Sequence, residues 1–291
     1  MSASLGGLAG AAASKADLQV TPLAEGLVLI TGAGGNVVAR RGGDGVLLVD
    51  GGNAEHSKQL LQTLRQTLGA PVTVAFNTHW HWEHTGSNET LRQDGAELIA
   101  HENTRLWFTQ PVDVDWENRV YPPRPKALPT RTFYKGAQTL AFGGGTVDYG
   151  HLPLAHTDGD IYVYFRDANV LVAGGVVTAN RYPIPDAATG GWTGGLANAT
   201  KALLDLVNDE TRIVPDVGPV QTKADLAAEN EMLTTLHEEI WQMMRKGMGV
   251  DDMIAIGATS KYDERWGNSD VFIRNAYRGI YGHVREMRGI V

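Results

Sequence analysis

Short apolar runs broken by glycine-rich turns set the rhythm of the first part of the chain: Leu27 to Thr31, Val37 to Arg40 and Val46 to Val49. Runs of four or five residues, rich in β-branched side chains and bounded by Gly, predict strands. Gly32-Ala33-Gly34-Gly35 lies between the first two, and no helix follows it directly. It therefore reads as a hairpin turn rather than a dinucleotide-binding loop. From His56 to Leu68 the period changes, with Leu60, Leu61, Leu64 and Leu68 on one stripe and Gly69 as a stop, the pattern of an amphipathic helix. A buried strand at Val72 to Phe76, a helix-like Asn88 to Gln93 and a strand at Glu97 to Ala100 follow.

The second half repeats the theme. Gln138 to Phe142, Thr146 to His151, Ile161 to Phe165 and Val170 to Ala173 read as strands, and Leu196 to Val207 as a helix. Thr222-Lys223-Ala224-Asp225 has the spacing of a capping box and opens an amphipathic helix through Leu226, Leu233, Leu236, Ile240 and Met243, closed by Gly247. Two further helical segments are predicted after Val250, with Trp266, Phe272, Tyr277 and Tyr281 as packing residues. Between the halves, 102–133 intersperses Trp107, Phe108, Trp116 and Tyr121 with Pro111, Pro122, Pro123, Pro125 and Pro129. This predicts a long irregular excursion, either a lid roofing a substrate pocket or a strap over the core. With Trp80 and Trp82 close to the histidines in sequence, a pocket with apolar walls is expected.

Candidate chemistry concentrates where the strand Val72 to Phe76 ends, in His79-Trp80-His81-Trp82-Glu83-His84. Two histidines two apart on a loop leaving a strand can turn both rings toward one divalent ion. Zinc takes neutral imidazole at roughly 2.0–2.1 Å, and a catalytic zinc keeps three protein ligands and an open position. A partner histidine, His156, lies in Leu154-Ala155-His156-Thr157-Asp158-Gly159-Asp160. The order of strand, His-x-His-x-acid-His loop and distant His-Thr-x-Gly-Asp turn resembles the metallo-β-lactamase superfamily. Leu47-Leu48-Val49-Asp50-Gly51-Gly52 and Pro215-Asp216-Val217-Gly218-Pro219 support the resemblance.

The resemblance implies an α/β fold, a four-layer αββα sandwich with the site along a shared strand-end edge, and a first metal on His79, His81 and His156. Its second metal site is poorly matched. Glu83 stands where Asp is usual, Gly175 where a bridging acid is expected, and Val217 where a late His is expected. A second ion would keep only His84 and Glu83, with no bridging carboxylate to offset repulsion between two dications, so one zinc per chain is expected. The implied activity is hydrolysis of an activated carbonyl in a small ester, lactone or lactam by a metal-bound hydroxide. Glu83 is either the general base or an acid that orients a ligand from behind. His84 is either a proton donor to the leaving group or a relic making an ordinary hydrogen bond. Asp160 is expected to fix its loop and Asp50 to brace the histidine loop. His56, His101, His237 and His283 read as ordinary histidines, and His151 is left open. Two other readings stand beside hydrolysis: a scaffold whose ancestral site has decayed, and a metal-dependent lyase or isomerase with Glu83 as base.

Composition narrows the partners. A chain of 291 residues with net charge −8 and no basic run lacks the clustered cations that nucleic-acid binding uses, which leaves a small-molecule substrate. The absence of cysteine removes disulfides and thiolate chemistry. No apolar run approaches the roughly 20 residues needed to span a bilayer. Residues 1–16, rich in Ala and Gly, resemble the apolar end of a secretory signal without its basic head. They are expected to be a signal-like or disordered segment before a single domain at 17–291, in a periplasmic or secreted protein, otherwise a cytoplasmic one. Oligomeric state is not legible.

Overall fold

Side-chain alternation along the strands decides which face each apolar residue covers. In the computed structural model, which describes residues 17–289, β1 (Gln19–Ala24), β2 (Leu27–Thr31), β3 (Val37–Gly42) and β4 (Gly45–Val49) form an antiparallel run. β5 (Val72–Phe76), β6 (Glu97–His101) and β9 (Arg131–Phe133) extend it in parallel, giving a seven-stranded sheet ordered β1-β2-β3-β4-β5-β6-β9. A second sheet of five strands holds β10 (Ala137–Phe142), β11 (Gly145–His151), β12 (Ile161–Phe165), β13 (Val170–Val172) and β14 (Arg212–Val214) in sequence order.

Leu27 and Leu29 of β2 face the second sheet, packing with Phe76, Tyr149, Val163 and Phe165, whereas Val28 and Ile30 turn outward to helix α1 (Ser57–Leu68). Helix α1 seats Leu60 and Leu64 on that outer face. The outer face of the second sheet, with Tyr164, Leu171 and Ile213, is covered by α5 (Thr193–Leu206), α6 (Lys223–Arg245) and α9 (Asp270–Met287). The layers are therefore helix, sheet, sheet, helix, the αββα sandwich that the resemblance implied. The remaining helices are short: α2 (Trp82–Thr85), α3 (Asn88–Gln93), α4 (Glu102–Trp107), α7 (Val250–Ala255) and α8 (Asp263–Trp266). Among the described residues no helix is long and apolar enough to cross a membrane. The signal-like reading of 1–16 lies outside the described residues.

Departures from the sequence reading have physical causes. β1 carries Pro22 and buries only Leu23, so an edge strand leaves no alternation to read. β9 and β14 are three residues long and are set by sheet pairing. Helix α5 starts at Thr193, earlier than Leu196, because Gly194 and Gly195 offer no apolar period but sit in close packing. The segment 102–133 is not irregular throughout: it holds α4, a hairpin of β7 (Val112–Val114) and β8 (Arg119–Tyr121), and β9. Val112, Val114 and Tyr121 pack there on Trp80 and Phe108. The tail has three helices rather than two, and Tyr281 is exposed rather than packed. The capping box forms as predicted, with Thr222 Oγ1 and Asp225 exchanging bonds with each other's backbone N–H.

Candidate metal centre

All the elements that carry the histidine cluster end on one edge of the sandwich. β4 runs into Asp50, β5 into His79 and His81, β13 into Gly174-Gly175, and β14 into Asp216, while His156 arrives on the loop between β11 and β12. His79, His81 and His156 are buried, and one ring nitrogen of each lies within 4.8 Å of the others. Ring centroids are 4.7–4.8 Å apart with near-perpendicular or tilted planes.

The outer nitrogen of each ring faces an acceptor, which dictates where the lone pairs point. His156 Nδ1–H donates to the Ile184 carbonyl at 2.7 Å, and His81 Nε2–H to the Asp186 carboxylate at 3.1 Å. Thr78 Oγ1 donates to Asp50 at 2.8 Å, so at 3.0 Å it accepts from His79 Nδ1–H. Three ring nitrogens therefore turn inward: His79 Nε2, which is buried and has no hydrogen-bond partner, and His81 Nδ1 and His156 Nε2, which face each other at 3.2 Å. Converging lone pairs repel unless a cation or a proton stands between them, so the donor set fits a divalent metal ion. Burial, then the neighbouring rings, holds His79 well below the ordinary histidine value, and burial with His81 pushes His156 down to about 4. Both stay neutral, as a metal ligand must. Burial would lower His81 too, but the bond to Asp186 and the nearby Glu83 raise it above the usual value.

His84 is arranged in the opposite way. Its Nδ1 meets Asp50 at 2.9 Å and its Nε2 meets Asp216 at 2.5 Å, both carboxylates. Burial opposes its charge, yet Asp50 and Asp216 carry its pKa well above the ordinary value. The ring is an imidazolium with no free lone pair. Asp216 is further paired with Arg181, and His84 and Arg181 hold its carboxyl well below the usual range despite burial. Gly175 completes this side: a Cβ there would lie 2.2 Å from His156 Cδ2 and 2.8 Å from Nε2. A side chain at 175 would need the space of the His156 ring.

A pocket of about 260 Å³ opens over the cluster, lined by His81, Glu83, Trp116, Arg181, Tyr182 and Ile184 among others. Glu83 Oε1 lies 3.8 Å from His81 Nδ1. His84 is not on the lining; Asp216 stands between it and the pocket. Trp116, at the tip of the β7–β8 hairpin, walls the pocket with its ring 6.5 Å from that of His81. Trp80 instead is buried against Tyr121, and Trp82 faces a separate proline-lined groove, so the apolar walls come from Trp116, Tyr182 and Ile184. Asp50 accepts from Thr78 N and Oγ1, both at 2.8 Å, and so braces the histidine loop. Asp160 accepts from Thr157 N and Oγ1, which ties down the turn after His156, and burial pushes its carboxyl up to about 8.

Other histidines are less ordinary than their positions implied. His101 and His151 stack at 3.7 Å, away from the cluster, and His283 stacks on Trp192 at 3.8 Å. Asp186, Asp216 and Arg181 escaped the sequence reading. Asp216 sat in a segment that supported the resemblance, and Asp186 in a Pro-Asp turn, but neither has fixed spacing from the ligands.

Comparisons with known proteins agree with this fold. A family profile of the metallo-beta-lactamase superfamily matches residues 30–215. The fold is similar to a metallo-beta-lactamase from Pontibacter korlensis, with 22% identity, a TM-score of 0.62, and 75% of this chain and 99% of that one covered. It is similar to the stereoselective inverting sec-alkylsulfatase Pisa1 from Pseudomonas sp., with 15% identity, a TM-score of 0.69, and 90% of this chain but 50% of that one covered. A third likeness is to the metallo-beta-lactamase IND-7, at 19% identity and a TM-score of 0.60, covering 75% and 98%. With the profile spanning most of the chain and a buried histidine trio able to hold a metal, this protein belongs to the metallo-β-lactamase superfamily.

Proposed function

We propose that this protein is a mononuclear zinc hydrolase acting on an activated carbonyl in a small ester, lactone or lactam, and that it is periplasmic or secreted, otherwise cytoplasmic. The observation that carries the reading is the convergence of one ring nitrogen from each of His79, His81 and His156 within 4.8 Å, with His79 Nε2 buried without any partner. A zinc ion held by His79, His81 and His156 supplies a Lewis acid that lowers the pKa of water to about 7 and polarises the electrophile.

The chain's own residues do the rest. Glu83, at the pocket wall, takes up a proton at Oε1 beside the ligand cluster. His84 holds a proton at Nε2 against Asp216, whose carboxylate lines the pocket and stays ionised between His84 and Arg181. The same bonds leave His84 nothing to offer a second ion, and Gly175 contributes no bridging acid, which supports a single metal. Trp116, Tyr182 and Ile184 seat the apolar body of the substrate, while Arg181 and Thr178 face its polar groups.

Metal analysis of the purified protein tests the reading. The expected result is about one zinc per chain, lost with activity in His79→Ala, and zinc-dependent turnover on a panel of p-nitrophenyl esters, lactones and nitrocefin. Two tightly held zincs refute the mononuclear site, and a flat panel with folded, zinc-loaded protein favours the scaffold reading. A secondary alkyl sulfate belongs in the panel, because the alkylsulfatase likeness covers more of this chain than the lactamase ones do and Arg181 brings a cation to the pocket. Turnover of that compound alone would move the substrate class to sulfate esters.

A further inference from the structure

The C-terminal helix α9 lies beyond the residues matched by the family profile, yet it packs on the loop that controls two of the three histidines. That loop, 184–192, fixes His156 through the Ile184 carbonyl on Nδ1 and through Asp186 N–H on the His156 carbonyl, both at 2.7 Å. It fixes His81 through the fully buried Asp186 carboxylate, itself held by Thr189 Oγ1 at 2.6 Å. Two further backbone bonds zip the segments together, Trp192 N–H to Ala155 O at 3.1 Å and Asp158 N–H to Thr189 O at 2.8 Å, and Gly191 N–H to Asp186 O at 2.8 Å closes the loop on itself.

Glycines allow this approach. A Cβ on Gly191 would lie 2.0 Å from the His156 carbonyl oxygen. One layer further out, Gly279 of α9 rests on the same loop: a Cβ there would lie 2.7 Å from Gly191 O, 2.9 Å from Trp192 Cβ and 3.0 Å from Trp192 Cα. Two of those three atoms are backbone and cannot rotate aside. One turn along α9, His283 stacks flat on Trp192 at 3.8 Å, holding the loop's far end. Gly282, on the same helix, has nothing within 4 Å of a Cβ.

We propose that Gly279 is a positioning residue for the metal site: by letting α9 seat against Gly191 and Trp192, it sets the placement of His156 and of the Asp186–His81 pair, and so the metal affinity. The inference rests on the zinc-site reading above. A methyl group at 279 pushes on Gly191 and Trp192, and Gly191 already stands in close approach to the His156 carbonyl.

The test compares Gly279→Ala with Gly282→Ala in the full chain, measuring zinc affinity by chelator competition and the visible spectrum of the cobalt(II)-substituted protein. Gly279→Ala is expected to weaken zinc by about tenfold or more, the scale seen when groups orienting metal ligands are disturbed, and to change the cobalt ligand-field bands. Gly282→Ala should match wild type in both. Equal zinc affinity and an unchanged cobalt spectrum in a folded Gly279→Ala protein, even one with a lower melting temperature, overturn the proposal. If Gly279→Ala does not fold, His283→Ala decides: it removes the stack on Trp192 without adding bulk, and a smaller loss of zinc affinity supports the proposal where unchanged affinity sinks it. Failure of wild type to bind zinc at all would instead remove the zinc-site reading.

Discussion

Replacing Asp186 by Asn changes two atoms' chemistry at nearly constant volume and gives the sharpest check on the donor geometry. The two carboxylate oxygens accept from three donors: His81 Nε2–H at 3.1 Å, Thr189 Oγ1 at 2.6 Å and Ala188 N–H at 3.1 Å. An amide has one accepting oxygen. If that oxygen keeps His81 and Thr189, the NH2 confronts the Ala188 N–H. If the amide flips, the NH2 confronts His81 Nε2 and drives the ring into the tautomer that puts its proton on Nδ1, where the metal lone pair is needed. Either arrangement leaves a buried donor without an acceptor, a cost of about 1–3 kcal/mol, and removes the negative charge that makes His81 a better donor. The loss in zinc affinity should be about 10–100-fold, equivalent to about 1.4–2.7 kcal/mol. Chelator competition on folded Asp186→Asn protein, with circular dichroism to verify folding, measures it. Zinc affinity equal to wild type would show that the Asp186 bond does not set the His81 tautomer, and the lone-pair argument would fall with it.

Glu83→Gln keeps the pocket shape and the trio but cannot accept a proton, so turnover should fall about 100-fold or more with zinc content unchanged; undiminished kcat would leave Glu83 an orienting residue. The buried His101, stacked on His151, bears on acid stability. Burial, then His151, pushes it from 6.5 down to about 4. The unfolded chain therefore takes up this proton first as pH falls, so stability is fully present above about pH 6.5, declines below it, and the loss is complete near pH 4. His101→Gln should flatten that limb in melting temperatures taken from about pH 7 to about pH 4, and an identical slope in both proteins would assign the acid sensitivity elsewhere.

Local pattern carried much of this protein into view. Leu27 to Thr31 and Val46 to Val49 are strands because short β-branched runs between glycines have no better option than pairing, and α1 is a helix because its leucines share a stripe. His79 and His81 are legible as a pair because two residues on a loop are bound to be neighbours, and His156 because its turn has a recognisable form. Three-residue strands such as β9 and β14, and the edge strand β1, carry too little period to read, since pairing partners far along the chain create them.

The tertiary structure alone decided how the site is electrostatically set. Asp186 reaches His81 across 105 residues and Asp216 reaches His84 across 132. No spacing rule links them, because loops at the ends of different strands meet only when both sheets are packed. Those contacts make His84 an imidazolium while the other three rings point lone pairs inward. Residue type determines which groups are able to bind a metal; the acceptor behind each ring, set by the fold, determines which of them have an electron pair to offer.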